Sequence, residues 1–134
     1  MPTSAERTTY LDSSALVKLV VDEDESAALR EALTPTALRT SANIARVEVV
    51  RAVRHKGAEA VANARAVLEG IGLIQLDDEL LDLAGELDGP LRSLDAIHLA
   101  AALELGDNLE AVVTYDARMA QAAESLGLRV VAPA

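Results

Sequence analysis

A repeated change of hydrophobic period constrains the fold of this chain more than any other feature of its sequence. Short runs of apolar and β-branched residues alternate with longer stretches in which apolar residues recur at helical spacing. The strand-like runs cover 8–11, 37–40, 73–76, 111–114 and 129–131. One helical pattern follows Ser14, and others cover about 26–33, 42–56 (with Ser41 as its N-cap), 58–69, 79–87, 94–105 and 117–126. Short, continuously apolar strands that alternate with helices predict a parallel sheet covered by helices.

The composition of the chain excludes several classes of protein and of functional site. The chain has 134 residues, 51% of them apolar, and we expect one domain over 1–134. The net charge is −10, from 12 Lys and Arg and 22 Asp and Glu, which argues against nucleic-acid binding through bulk positive charge. The absence of cysteine excludes disulfides, Cys-ligated zinc, iron–sulfur clusters and thiol catalysis. The absence of Phe and Trp excludes an aromatic base-stacking platform.

The N-terminal residues and the hydropathy of the chain bear on its location. The first eight residues are polar and lack the basic start and apolar stretch of a signal peptide. No apolar run approaches the ~20 residues that a membrane-spanning helix needs. We therefore expect a cytoplasmic protein without membrane attachment.

Two acidic residues fall where predicted strands end. Asp12 directly follows the first strand, and Asp116 follows the strand at 111–114. Open parallel sheets bind ligands outside the carboxyl ends of their strands, where the strand order reverses, so these two carboxylates could meet in one crevice. Taken singly, each is equally well explained as the N-cap of the helix that follows it.

Two further acids border apolar helix faces. Glu48 lies within the helix predicted over 42–56, among small and apolar side chains at helical spacing. A surface ion pair with Arg51, three residues along, is an alternative explanation for Glu48. Asp95 falls in the first turn of a helix that begins near Ser93, where the helix dipole alone favours an acidic residue. The residues by themselves leave both alternatives open.

Four carboxylates in one crevice would repel each other, and a divalent cation would relieve that repulsion. With oxygen ligands, no cysteine and two histidines, the ion would be Mg²⁺ or Mn²⁺ rather than Zn²⁺. Hard cations held by carboxylates commonly serve phosphodiester hydrolysis, in which the metal activates water and offsets charge on the leaving oxygen.

Four stretches of the chain resemble, in order and at the expected spacings, the four motifs of the PIN domain. They are Tyr10–Leu19, Ala45–Ala52, Leu91–Ala100 and Val113–Met119, of which the third is the most specific. The resemblance covers essentially the whole chain. It is to the VapC-type members of the family, which are toxins of type II (VapBC) toxin–antitoxin pairs.

The resemblance implies a three-layer α/β/α sandwich around a parallel sheet, PIN-like and Rossmann-like, that acts as a Mg²⁺- or Mn²⁺-dependent endoribonuclease. By position, the catalytic and metal-binding residues would be Asp12, Glu48, Asp95 and Asp116, and the supporting polar residues would be Ser14 and Thr114. Water activated by the metal would attack the phosphorus and leave 5′-phosphate and 3′-hydroxyl ends. Tyr115 departs from the family pattern, in which a small polar residue is common, and this departure bears on substrate contacts near Asp116.

Positive charge is scarce, but much of it lies close in sequence to these acids. The candidates for substrate binding, as a local phosphate track, are Arg46, Arg51, Arg92 and Arg118. Ordinary solubilising charge is the alternative explanation for these arginines. The resemblance also implies an RNA substrate, a homodimer and a higher toxin–antitoxin assembly. The partner would be a cognate VapB-type antitoxin that sends an Arg or Lys into the acidic site.

Other α/β interpretations lack the residues that they need. A receiver domain needs a Lys at a late strand end, and the two lysines are Lys18 and Lys56. A dinucleotide-binding domain needs G-x-G-x-x-G after the first strand. A triad built on Ser14 and His98 lacks a G-x-S-x-G elbow, so His98 is better explained as a packed or supporting residue. The remaining rival is a catalytically silent PIN fold that serves as an RNA-binding or scaffold module, and the presence of all four acids argues against it.

Overall fold

The computed structural model describes residues 7–33 and 38–134. In chain order these residues form β1 (Thr8–Leu11), α1 (Ser13–Val20), α2 (Ser26–Ala32), β2 (Leu38–Ala42), α3 (Ala45–Val53), α4 (Ala58–Glu69), β3 (Gly72–Ile74), α5 (Asp78–Glu86), α6 (Ser93–Glu104), β4 (Leu109–Val113), α7 (Ala117–Ser125) and β5 (Val130–Val131). Short 3₁₀ turns follow α3 and α6. Within the described part of the chain, no helix is both long and apolar enough to cross a membrane.

The five strands form one sheet in the order β3-β2-β1-β4-β5, and every neighbouring pair is parallel. The chain runs outward from β1 to β3 on one side and then returns to place β4 on the other side of β1. The strand order therefore reverses between β1 and β4, whose last residues, Leu11 and Val113, are paired in register. A crevice outside the carboxyl ends of the strands is expected at such a switch point.

Side chains that alternate along the central strands build two separate cores. Tyr10 and Val112 point into a core formed with α5, α6 and α7. The next residues along the strands, Leu11 and Val113, point into a core formed with α1 to α4. Because both faces of the sheet are covered, its central strands are apolar on both sides. The prediction of a three-layer α/β/α sandwich with a central parallel sheet is confirmed.

The predicted strands and helices are all present, with shifts at their ends. The largest shift concerns the helix predicted over 42–56, because α3 begins at Ala45 and gives way to the 3₁₀ turn at Arg54. The prediction that Ser41 caps this helix is wrong. Ser41 is fully buried within β2, and the backbone N–H of Asn43 donates to the carbonyl of Ile74 at the end of the neighbouring strand. The strand therefore continues through Ser41 and Ala42, where the sequence pattern predicts that the helix begins.

Two sequence-based predictions fall partly outside the described residues. One is the start of the second strand at residue 37. The other is the interpretation of the first eight residues as a segment that is not a signal peptide, because the description begins at residue 7.

Candidate active site

Asp12 is a buried carboxylate at the junction of β1 and α1. It is 5% exposed, and its Oδ1 accepts hydrogen bonds from Oγ of Ser14 at 2.6 Å and from the backbone N–H of Ala15 at 3.0 Å. Its Oδ2 accepts a hydrogen bond from Oγ1 of Thr114 at 2.5 Å. Burial raises the pKa of Asp12, and the hydrogen bonds from Ser14 and Thr114 offset part of that effect. Asp12 therefore caps α1 and also presents a fixed, desolvated acid to the switch point.

Asp116 lies beyond the end of β4, two residues after Thr114. Its Oδ1 accepts from the backbone N–H groups of Arg118 and Met119 at 2.9 and 3.0 Å, so that it caps α7. The hydroxyl of Thr114 accepts from the backbone N–H of Asp116 at 3.1 Å while it donates to Asp12. The N-cap explanation thus holds for both acids, and both follow the two strands that form the switch point.

Ser14 and Thr114 both join the two strand ends. The hydroxyl of Ser14 donates to Asp12 and accepts from the backbone N–H of Tyr115 at 2.9 Å. Thr114 forms the equivalent bridge from the other strand. Each hydroxyl is therefore fixed as a donor to the carboxylate of Asp12, and its supporting role at a metal site stays a prediction.

Asp95 lies in the first turn of α6, where the sequence places it. Its Oδ2 is buried and has no hydrogen-bond partner among the residues that the structure describes. Burial, followed by the negative charge of Asp116, raises the pKa of Asp95. A buried carboxylate oxygen without a partner costs about 1–3 kcal/mol, and more when it is charged, so a cation or a water molecule at Oδ2 would stabilise the fold.

Glu48 makes contacts that the sequence did not predict. Its Oε1 lies 2.7 Å from Oγ of Ser13 and 2.6 Å from Nε2 of His98. Burial alone would raise the pKa of Glu48, but the interactions with His98 and Ser13 hold it below its usual value. Among the described residues Glu48 forms no ion pair with Arg51, so the alternative of a surface pair is wrong.

His98 and Tyr10 extend this contact into the core. The hydroxyl of Tyr10 lies 2.7 Å from Nδ1 of His98, and both side chains are buried. Sequence reasoning treated His98 as a packed or supporting residue and assigned no role to Tyr10 or Ser13. The available signal was the spacing of His98 three residues after Asp95, which puts both on one face of α6.

The donor set suits a hard divalent cation in its chemistry. Carboxylate oxygens provide all of the candidate ligands, Asp95 has an oxygen without a partner, and the pKa values of Asp12 and Asp95 are both raised. In the part of the chain that is described, however, no three acidic or histidine side chains converge closely enough to hold a metal ion as they stand. The oxygens of Asp12 and Oε1 of Glu48 are instead engaged by hydroxyl, backbone N–H and imidazole donors.

The four candidate arginines are exposed. Over the described ranges, none of their side chains forms a hydrogen bond or ion pair; they are Arg46, Arg51, Arg92 and Arg118. The positive charge of Arg92 acts on Asp95 and partly offsets the rise in its pKa. These guanidinium groups are therefore accessible for an anionic ligand.

Tyr115 contacts Pro133 and Lys18. Its hydroxyl donates to the carbonyl of Pro133 at 2.7 Å, and Nζ of Lys18 lies 4.8 Å from the centre of its ring. Lys18 is in turn paired with Glu25 at 2.6 Å. The departure from the family pattern at Tyr115 therefore anchors the C-terminal segment.

Comparison with known proteins agrees with this architecture. The PIN domain family model matches residues 9–125. The chain is 50% identical over 125 residues to Ribonuclease VapC46 of Mycobacterium tuberculosis, covering 92% of this chain and 96% of that protein. The crystal structure of VapC20 of M. tuberculosis, a sarcin–ricin loop cleaving toxin, superposes with a TM-score of 0.75 at 15% identity, covering 94% of this chain and 100% of that one. A chain of VapBC-1 from nontypeable Haemophilus influenzae superposes with a TM-score of 0.59 at 15% identity, covering 93% and 97%. The two structures show the same fold.

Proposed function

Because the chain belongs to the PIN-domain family, we propose that it is a VapC-type endoribonuclease, the toxin of a type II toxin–antitoxin pair. The observation that carries the proposal is the placement of carboxylates at the switch point between β1 and β4. Asp12 and Asp116 follow these two strands, and the charge of Asp116 reaches Asp95. The 50% identity to a protein named as a ribonuclease supports RNA as the substrate.

We further propose that a Mg²⁺ or Mn²⁺ ion binds at this site, held by Asp12, Glu48, Asp95 and Asp116. The unpartnered Oδ2 of Asp95 and the raised pKa values of Asp12 and Asp95 support this, because a bound cation would compensate all three. When bound, the ion would act as a Lewis acid that activates water and offsets charge on the leaving oxygen. Since no ready group of three ligands exists among the described side chains, binding would require a carboxylate without a fixed partner, such as that of Asp95, to approach the others.

The residues of this chain would position the RNA, and we propose that water attacks the phosphorus. The hydroxyls of Ser13 and Ser14 donate to Glu48 and Asp12 and so hold these carboxylates in place. Attack by water would leave 5′-phosphate and 3′-hydroxyl ends, whereas attack by the 2′-hydroxyl of the RNA would leave a 2′,3′-cyclic phosphate. The exposed guanidinium groups of Arg92 and Arg118, close in sequence to Asp95 and Asp116, would hold the phosphates on either side of the scissile bond.

The partners follow from the same site. A net charge of −10 and an acidic crevice suit a basic segment, and we propose a VapB-type antitoxin that places an Arg or Lys among the carboxylates. The structural likeness to a chain of VapBC-1 supports this partner. A homodimer and a larger toxin–antitoxin assembly, in the cytoplasm where RNA and antitoxin meet, belong to the same proposal.

A silent PIN fold that only binds RNA or acts as a scaffold is the second candidate, and metal binding separates the two. We would measure the free energy of unfolding of the wild type and Asp95→Asn with and without Mn²⁺. A metal site should add roughly 2.7 kcal/mol to the wild type at a hundredfold excess over Kd. The gain should be much smaller in Asp95→Asn. A wild type that gains nothing from Mn²⁺ would favour the scaffold.

A further inference from the structure

Four polar side chains form a connected hydrogen-bond network that runs from Glu48 of the candidate site into the core. The hydroxyl of Tyr10 contacts Nδ1 of His98 at 2.7 Å, and Nε2 of His98 contacts Oε1 of Glu48 at 2.6 Å. Oγ of Ser13 donates to the same oxygen of Glu48 at 2.7 Å and lies 3.2 Å from Nε2 of His98. Tyr10 is fully buried and His98 is 3% exposed, so water does not compete for the bond between them.

The geometry shows which nitrogen of His98 carries hydrogen toward Glu48. An ionised carboxylate only accepts hydrogen bonds, so Nε2 must carry hydrogen to lie 2.6 Å from Glu48. The 2.7 Å contact at Nδ1 fits two forms of the ring: in the neutral ring Nδ1 accepts from the hydroxyl of Tyr10, and in the imidazolium Nδ1 donates to it. In both forms Tyr10 holds the ring in the orientation that directs Nε2–H at Glu48.

The network joins the elements that carry the other candidate ligands. Tyr10 lies two residues before Asp12 on β1, and Ser13 follows Asp12 at the start of α1. His98 lies one helical turn after Asp95 on α6. The side chain of Glu48, on α3, is thus held by groups whose backbones also set the positions of Asp12 and Asp95.

Ser13 and His98 both contact Oε1 of Glu48. Among the described residues, no hydrogen bond reaches Oε2 of Glu48. We propose that His98 is a positioning residue: with Ser13 it fixes Oε1 of Glu48 so that Oε2 is presented to the metal and substrate, and Tyr10 fixes the orientation of the His98 ring. This inference rests on the proposed function and assigns a role that the four-carboxylate arrangement does not contain. Residues that orient metal ligands in this way typically contribute 10–100-fold to metal affinity or activity.

A matched pair of substitutions separates positioning from packing. In His98→Gln the side-chain amide reaches the place of Nε2 and can donate to Glu48, whereas the shorter side chain of His98→Asn reaches only the place of Nδ1. We expect His98→Asn to weaken Mn²⁺ binding, measured by calorimetry, by about 10–100-fold, and to lower RNA cleavage similarly. His98→Gln should recover much of the Mn²⁺ affinity. His98→Asn combined with Glu48→Gln should bind Mn²⁺ no more weakly than Glu48→Gln alone.

A control elsewhere in the sheet removes a hydrogen bond of the same length. Thr40→Val breaks the 2.7 Å contact between the hydroxyls of Thr40 and Thr8. It should lower the melting temperature and leave Mn²⁺ affinity at the wild-type value. Equal losses of stability in His98→Asn and His98→Gln, with Mn²⁺ affinity unchanged in both, would overturn the inference. So would additive effects of His98→Asn and Glu48→Gln on Mn²⁺ affinity.

The hydrogen on Nε2 of His98 can be observed without metal or substrate. In the ¹⁵N-labelled, metal-free wild type, Nε2 should carry hydrogen at neutral pH, in the neutral ring or in the imidazolium, and Tyr10→Phe should admit a ring with hydrogen on Nδ1 alone. A wild type with hydrogen on Nδ1 alone would overturn the inference directly. A wild type that carries hydrogen on Nε2 and binds no Mn²⁺ would instead overturn the proposed function, so the two failures are distinguishable.

Discussion

The hydroxyl of Thr114 donates a hydrogen bond to Oδ2 of Asp12 at 2.5 Å, so that one side chain ties together the ends of two adjacent strands. Both groups are buried, at 1% and 5% exposure, and the residues lie 102 positions apart in the chain. The contact fixes the direction in which the carboxylate of Asp12 faces, and through it the geometry of the switch point.

Thr114→Val should destabilise the protein by about 1–3 kcal/mol, because it leaves a buried carboxylate oxygen without its donor. It also leaves the backbone N–H of Asp116 without its acceptor. Urea denaturation of the wild type and the variant measures this difference. Thr114→Ser keeps the hydroxyl and should retain most of the stability. Equal stability of Thr114→Val and the wild type would show that the contact does not order Asp12.

Asp95→Asn should stabilise the metal-free chain at neutral pH. The pKa of Asp95 is raised, so the folded state binds its proton more tightly than the unfolded state does. The contribution of Asp95 to stability is fully present below its unfolded pKa of about 3.9 and is lost as the pH rises through the folded value. Melting temperatures in EDTA from pH 4 to pH 8 should therefore diverge in favour of the variant as the pH rises. A variant that is less stable at pH 7 would contradict this.

Glu48 gives the opposite pH dependence. Because its folded pKa is lowered, Glu48 stabilises the fold above its unfolded pKa, and this contribution is lost as the pH falls through the folded value. Glu48→Gln should therefore be less stable than the wild type at pH 7, and the difference should narrow on acidification. The same EDTA melting series tests it. A difference that widens at low pH would rule out the stabilising contact with His98.

Arg92→Ala combined with Arg118→Ala should weaken RNA binding with little effect on folding, because both side chains are exposed and form no ion pair in the described structure. Each lost phosphate contact should reduce the slope of log affinity against log salt by about 0.7 on single-stranded RNA. The slope is measured by fluorescence anisotropy of labelled RNA over a series of salt concentrations. All variants carry Asp95→Asn so that the RNA is not cleaved. Arg65→Ala, an exposed arginine on α4, is the matched control. Equal slopes in the double variant and the control would remove these arginines from the substrate site.

Much of the fold could be predicted because it depends on local periodicity. Short apolar strands such as Ala111–Thr114, set between helical stretches, are sufficient to predict a parallel sheet with both faces covered. Asp12 and Asp116 could be placed at strand ends for the same reason. The start of α3 could not, because Ser41 and Ala42 suit a buried strand and a helix equally and the pairing with β3 decides between them.

The contacts within the site were beyond the reach of sequence reasoning. His98 meets Glu48 across 50 positions and Tyr10 across 88, and no pattern along the chain encodes these distances. A helical neighbour such as Arg51 was the natural local partner for Glu48, but burial favours the donors that the tertiary fold supplies. The roles of the four acids remain a prediction, since position in the fold does not by itself assign chemistry.

The most direct measurement is the sequencing of new 5′-phosphate RNA ends after induced expression of the wild type and Asp95→Asn in cells that lack an antitoxin. Asp82→Asn, an exposed acid on α5, is the matched control. We predict discrete cuts and growth arrest with the wild type and Asp82→Asn, and neither with Asp95→Asn accumulated as folded protein. Cuts of equal extent with Asp95→Asn, or ends that carry a 2′,3′-cyclic phosphate on the upstream fragment, would contradict a carboxylate site that hydrolyses RNA with water.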